Sequence, residues 1–238
     1  MSLIKNPLII ALDVDTVEEA VNLVDGLEPY AGAFKVGMQF YNSVGPETIR
    51  ILKRKNVSVF VDLKLHDIPN TVAGAARVIA RHGASILNVH AAGGSTMMRA
   101  AAEAARDEAE RAGVDHPQVV AVTVLTSIDQ RMFNDEIGIP GAIRERVVSW
   151  AKMAKEAGLD GVVASPREIT AIREACGTDF VIITPGVRPA GAVVNDQKRT
   201  MTPGDAVRLG ATYLVVGRPV IAAPDPVEAA KAILREIS

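Results

Sequence analysis

The sequence predicts a single α/β domain over residues 1–238, a (β/α)8 TIM barrel, and three observations lead there. Short apolar runs alternate with longer stretches of helical period, the runs number eight, and glycine closes several of the helical stretches. The runs hold Val, Ile and Leu at consecutive positions, the pattern of parallel strands covered on both faces. Eight such units close a barrel, and 238 residues is a usual length for one. An open, doubly wound sheet is the main competitor. It would not supply eight equal units, and no glycine-rich dinucleotide fingerprint follows the first run.

Taken in order, strand one runs from Leu8, behind Pro7, to Asp13, and Val17 to Leu27 has helical period. Strand two is Ala33 to Gly37 and strand three Ser58 to Lys64. The helix Thr71 to His82 then ends at Gly83, and strand four is Ser85 to His90. Thr96 to Ala112 with Gly113 leads to strand five, Val119 to Leu125. Ala142 to Ala157 with Gly158 leads to strand six, Gly161 to Ala164. Pro166 to Ala175, with Gly177 beyond it, precedes strand seven, Phe180 to Thr184, and Gly210 precedes strand eight, Thr212 to Gly217. Glycine just past a helix end suits the left-handed turn that closes helices. Two connections are long, Thr126 to Gly141 and Pro185 to Pro203. Both leave C-terminal strand ends, where barrel enzymes build active sites and long loops often serve as lids.

Composition narrows the function. The chain is 48% hydrophobic but only 4% aromatic, which fits alanine-rich helices packed on strands of small branched residues. A formal charge of −2 without a basic run argues against a nucleic-acid partner. Cys176 is the only cysteine, so no intrachain disulfide forms, and it reads as an inert thiol. No stretch has the length of a membrane span, and Leu8 to Leu12 is too short for a signal peptide. A cytoplasmic protein is expected. No His, Cys and carboxylate spacing suggests zinc, and no metal site is expected. His82 and His116 read as helix-end and loop residues, and Trp150, near Val147 and Ala151, as outer-layer core.

The charges are placed where a barrel binds. Asp13 ends strand one, Lys35 lies within strand two, and Asp62-Leu63-Lys64 ends strand three. Strand side chains alternate, so Asp62 and Lys64 share a face. Buried charges are unfavourable unless paired, and Lys35 and Asp13 on neighbouring strands offer that pairing. Any one of these charges alone would read as a solvated strand end. Three consecutive strands together read as a site.

The run Asp62-Leu63-Lys64-Leu65-His66-Asp67-Ile68-Pro69-Asn70-Thr71 sharpens this. It resembles the orotidine 5'-monophosphate decarboxylase family, whose signature is D-x-K-x-x-D-I-P-N-T. The resemblance extends along the whole chain. It takes in Ala11-Leu12-Asp13, Phe34-Lys35-Val36-Gly37, Val89-His90-Ala91 and Thr123-Val124-Leu125-Thr126-Ser127. It continues in Pro185-Gly186-Val187-Arg188, Asp196-Gln197-Lys198-Arg199 and Gly217-Arg218-Pro219. The D-x-K-x-x-D core is shared with related sugar-phosphate barrels; the I-P-N-T and D-Q-x-R segments are what make it specific.

The reaction this resemblance implies removes the carboxylate from C6 of a pyrimidine nucleotide, with no metal or organic cofactor. It implies that Lys64 stabilises and protonates the resulting carbanion. Asp62 would hold Lys64, and whether it also destabilises the bound carboxylate stays open. Lys35 would pair with Asp62 and reach a ribose hydroxyl, and Asp13 would accept from another. Asp67 would enter the neighbouring subunit's site, with Ile68 lining it and Thr71 meeting the sugar, so a homodimer with shared sites is implied. Thr126 would meet the pyrimidine, and Gln197 would bridge phosphate and base. The phosphate end is also readable from position. Arg188 follows strand seven and Gly217-Arg218 closes strand eight, where barrels commonly hold phosphate. His66 is not distinguished from a packing residue, while His90 is expected to support the floor of the site by hydrogen bonds. The alternatives are a magnesium-dependent sugar-phosphate barrel enzyme and a noncatalytic pyrimidine-nucleotide sensor.

Overall fold

The structure, a computed structural model, describes residues 4–188 and 201–237. Eight parallel strands close on themselves in sequence order, the first pairing with the last. They are β1 (Leu8–Leu12), β2 (Ala33–Gly37), β3 (Val59–Leu65), β4 (Ile86–His90), β5 (Gln118–Val122), β6 (Gly161–Val163), β7 (Val181–Pro185) and β8 (Tyr213–Val216). Around them lie α1 (Val17–Leu27), α2 (Met38–Val44), α3 (Glu47–Arg54), α4 (Pro69–Arg81), α5 (Gly94–Ala112), α6 (Ile143–Glu156), α7 (Ile169–Cys176), α8 (Pro203–Arg208), α9 (Arg218–Ile221) and α10 (Pro226–Ile237). The TIM barrel is confirmed. One strand to one helix is not the whole rule, because β2 and β8 are each followed by two helices.

Local chemistry accounts for the helix ends. Thr16 caps α1 by accepting from the Glu19 amide at 3.2 Å while Glu19 Oε2 accepts from the Thr16 amide at 3.1 Å. A reciprocal cap of this type stabilises a helix start by about 1 kcal/mol. The glycines expected beyond the helices, Gly83, Gly113, Gly158, Gly177 and Gly210, all have φ between 65° and 106°. A β-carbon would be strained there.

Two apolar layers hold the barrel. Strand residues such as Leu8, Ile10, Leu12, Val59 and Val61 face the helices, while Ile9, Ala11, Ala33, Phe60 and Ile86 fill the interior. The filled interior makes the barrel a packed core and not a pore, and the pocket that Lys35, Asp62 and Lys64 line opens above it, at the C-terminal strand ends.

The connection after β5 is more ordered than a loop. The strand ends at Val122, three residues earlier than expected, and Thr123 follows it with its amide and its hydroxyl both donating to the Val163 carbonyl, at 3.1 and 3.0 Å. A π-turn follows at Met132–Glu136, anchored by Phe133, which is 1% exposed. Asn134 Nδ2 donates to the Ile139 and Gly141 carbonyls at 2.7 and 2.9 Å. This segment is therefore a folded shoulder on the barrel. The connection after β7 is brought together at its two ends, where Val187 pairs with Met201. Among the described residues no helix is long and apolar enough to cross a membrane.

Candidate active site

Four neighbouring strands build one polar layer by the same rule. Ala11, Ala33, Phe60 and Ile86 fill the interior of β1 to β4, and the residues two further along are Asp13, Lys35, Asp62 and Asn88. Two residues along a strand return the side chain to the same face, so the barrel floor gives way to a polar layer on this half. The other half continues apolar: Val122, Val163, Pro185 and Val215 line a cavity of about 250 Å³ with Lys35, Asp62, Lys64 and Thr126. The pocket is thus half charged and half hydrocarbon.

The charges are tightly paired. Asp62 Oδ1 accepts from Lys64 Nζ at 2.7 Å and from Asn88 Nδ2 at 2.6 Å, and Asp62 Oδ2 lies 3.3 Å from Lys35 Nζ. Lys35 Nζ also reaches Asp13 Oδ1 at 3.5 Å. The pairings expected for Lys35, with Asp13 and with Asp62, are both present. Burial alone would push the Asp62 carboxyl up. The charges of Lys35 and Lys64 and the hydrogen bonds from Lys64 and Asn88 overcome it and hold the group below its ordinary range. Asp62 is therefore a carboxylate at neutral pH.

Lys64 has an unusual backbone. Its φ is 53°, in the left-handed region that costs a non-glycine residue about 1–3 kcal/mol. The cause is a register break: Val61 pairs with Leu87 and Leu65 with Val89, so β3 takes four steps where β4 takes two. A bulge of this kind re-aims side chains next to functional sites. Within it Leu63 and Leu65 still pack on the helix side, leaving Asp62 and Lys64 on the pocket side as alternation requires. Asn88, opposite the bulge, accepts the Lys64 amide at 2.8 Å. Sequence reasoning missed Asn88. An uncharged side chain inside an apolar run is a weak signal, although a polar residue at 1% exposure must be hydrogen-bonded.

Close glycines keep this cluster compact. A β-carbon at Gly37 would lie 2.8 Å from Lys35 Nζ, and one at Gly217 would lie 3.2 Å from Asp13 Oδ2. Gly217 thus belongs beside Asp13, across the β1–β8 seam.

The remaining expected residues fall into three groups. Thr126 is buried and lines the cavity. Asp67, Ile68 and Thr71 stand exposed on the rim after β3, Ile68 at 67%, and none lines the cavity of this chain. Arg188 is buried, with Nη1 donating to the Val187 carbonyl at 2.9 Å, while Arg218 opens α9 and is exposed. Gln197, with Asp196, Lys198 and Arg199, lies outside the described residues.

His90 differs from expectation. Its ring stacks on His66, centroids 5.4 Å apart, and its buried Nδ1 has no hydrogen-bond partner. Support comes from ring packing because β4 ends there with the imidazole against the β3–α4 connection. Burial, with the His66 and Lys64 charges behind it, lowers the pKa of His90 and favours the neutral ring. Among the described residues no three His, Cys, Asp or Glu side chains gather as metal ligands.

A charge-lined pocket at the C-terminal mouth of a closed parallel barrel defines the class: a (β/α)8 barrel enzyme working on a small molecule. The family model described as "Orotidine 5'-phosphate decarboxylase / HUMPS family" matches residues 6–233. A protein of Moorella thermoacetica named orotidine 5'-phosphate decarboxylase is 58% identical over 98% of this chain and 92% of its own length. One of the same name from Syntrophomonas wolfei is 53% identical over 97% of each. Among solved structures, the orotidine 5'-phosphate decarboxylase of Lactobacillus acidophilus superposes with a TM-score of 0.86 at 38% identity, covering 98% of this chain and 100% of that one. The chain belongs to the orotidine 5'-phosphate decarboxylase / HUMPS family.

Proposed function

We propose that this chain converts orotidine 5'-monophosphate to uridine 5'-monophosphate in de novo pyrimidine biosynthesis, in the cytoplasm, with Lys64 as the proton donor to C6. The observation that carries the reading is the Lys64–Asp62 pair at 2.7 Å, facing an apolar wall. The relatives' shared name supports the reaction.

The chemistry follows from that arrangement. When the C6–carboxylate bond breaks, its electron pair stays on C6 and carbon dioxide leaves. The ring offers that pair no delocalisation, so the barrier falls only if positive charge is already in place. The Lys64 ammonium supplies the charge and then the proton, forming the new C6–H bond, and solvent restores the lysine. Asp62 aims Lys64 through the 2.7 Å contact. Lys35 holds Asp62 ionised from the other side and, with Asp13, serves the ribose hydroxyls. Thr126 meets the pyrimidine against the apolar wall. Arg188, Gly217 and Arg218 take the phosphate, with Gln197 bridging it to the base, so that phosphate binding is spent on positioning the ring. No metal or organic cofactor is called for.

Asp67, Ile68 and Thr71 act in the site of a second copy. Their exposure on the rim supports this, since Asp67 is exposed, Ile68 is 67% exposed, and neither lines the cavity of its own chain. The functional unit is then a homodimer with two shared sites.

The deciding experiment follows the ultraviolet absorbance of orotidine monophosphate with purified protein, with and without a chelator. Decay should persist in chelator and fall at least about a hundredfold in Lys64→Ala, the usual scale for loss of a proton-transfer group. Untouched nucleotide with wild-type protein would refute the reading. Loss in chelator, restored by magnesium, would point instead to a metal-bound enediolate.

A further inference from the structure

The side chain that fixes the geometry of the reactive pair lies on another strand. We infer that Asn88 is a positioning residue for the decarboxylation, holding both the Asp62 carboxylate and the Lys64 backbone through one amide. The inference rests on the decarboxylase reading for its kinetic consequence and on geometry for its cause.

The β3 bulge removes Lys64 from the strand ladder, since Leu65 resumes pairing at Val89 directly after Leu87 pairs with Val61. The Lys64 amide must then find an acceptor or remain a buried unpaired donor. Asn88 Oδ1 provides it at 2.8 Å. The same group's Nδ2 donates to Asp62 Oδ1 at 2.6 Å, the oxygen that also takes Lys64 Nζ at 2.7 Å. Both bonds fix the amide orientation, because only its oxygen can accept from N–H and only its nitrogen can donate to a carboxylate. Asn88 is 1% exposed, so water does not compete for either bond. Lys64 is thereby held at both ends. Its main chain is held in the left-handed conformation by the amide oxygen, and its ammonium is aimed through a carboxylate that the amide nitrogen orients. Asn88 does not border the cavity, so it acts through Asp62 and Lys64.

Removing this support should be read in kcat. A misplacement on the order of 1 Å at a reacting group costs roughly a hundredfold, and Asn88→Ala should lose about that in kcat with KM nearly unchanged. Asn88→Asp separates positioning from packing. As a carboxylate it accepts from the Lys64 amide but cannot donate to Asp62, and it adds a like charge; protonated, it regains the donor. Its kcat relative to wild type should therefore rise as pH falls. A crystal structure of Asn88→Ala should show Lys64 out of the left-handed region.

Wild-type-like kcat in Asn88→Ala, or Lys64 unmoved in its crystal structure, overturns the inference. If Asn88→Ala does not fold, a pH-independent ratio in Asn88→Asp overturns it. Inactive wild-type protein brings down the decarboxylase reading instead, and the position of Lys64 in the variant crystal still decides whether Asn88 holds it.

Discussion

Asp62 receives two ammonium groups and an amide on its two oxygens while only 14% of its side chain meets solvent. Such a carboxylate stays charged only through its partners, and the partners stay apart only through it. The linkage to pH has a definite sign. The folded-state pKa lies below the unfolded value of about 3.9, so the contribution of Asp62 is fully present above pH 4 or so and is lost as pH falls through the folded value. Urea unfolding of wild type and Asp62→Asn across the acid range should show a shallower pH dependence in the variant below that point. Equal slopes would mean that Asp62 is not held as described. At this scale the sequence was informative where residues were charged. Asp62, Lys64 and Lys35 are legible because an ion in a strand demands an explanation. Asn88 asks for none until its depth is known, and the absence of a bond to His90 Nδ1 is equally invisible in a string of letters.

The end of β2 shows how an element serves the site by what it leaves out. Gly37 has φ −90° and ψ −179°, open to any residue, so its small size and not its backbone freedom is what matters. A β-carbon there would meet Lys35 Nζ at 2.8 Å, and the flexible end of the lysine would yield before the barrel does. Gly37→Ala should thus cost about 1 kcal/mol of stability or less, yet raise KM by displacing Lys35 from Asp13 and Asp62. Paired thermal unfolding and steady-state kinetics check this, and a large stability loss with unchanged KM would contradict it. Element identity was readable from apolar period and from glycines past helix ends. The folded shoulder after β5 was not, because its order comes from Phe133 entering the core and from Asn134 bonding across the turn to Ile139 and Gly141.

Closure of the barrel brings β1 beside β8 and sets Gly217 against Asp13 at opposite ends of the chain. It also leaves Asp67, Ile68 and Thr71 facing outward, which ties the proposed chemistry to assembly. Mixing Lys64→Ala chains with Asp67→Ala chains, each inactive alone, should restore activity, because half of the sites in mixed dimers would be intact. No recovery under verified subunit exchange would argue for self-contained sites.

The chain's letters alone determined the eight parallel units, the face shared by Asp62 and Lys64, and the strand ends that carry charge. All of these follow from periods of two and 3.6 residues, which are local. Only the tertiary structure decided the left-handed turn at Lys64 and its hold by Asn88. Those depend on the register of β4 against β3, between residues 24 and 26 apart in sequence, and register is set when the sheet closes, not by either strand alone.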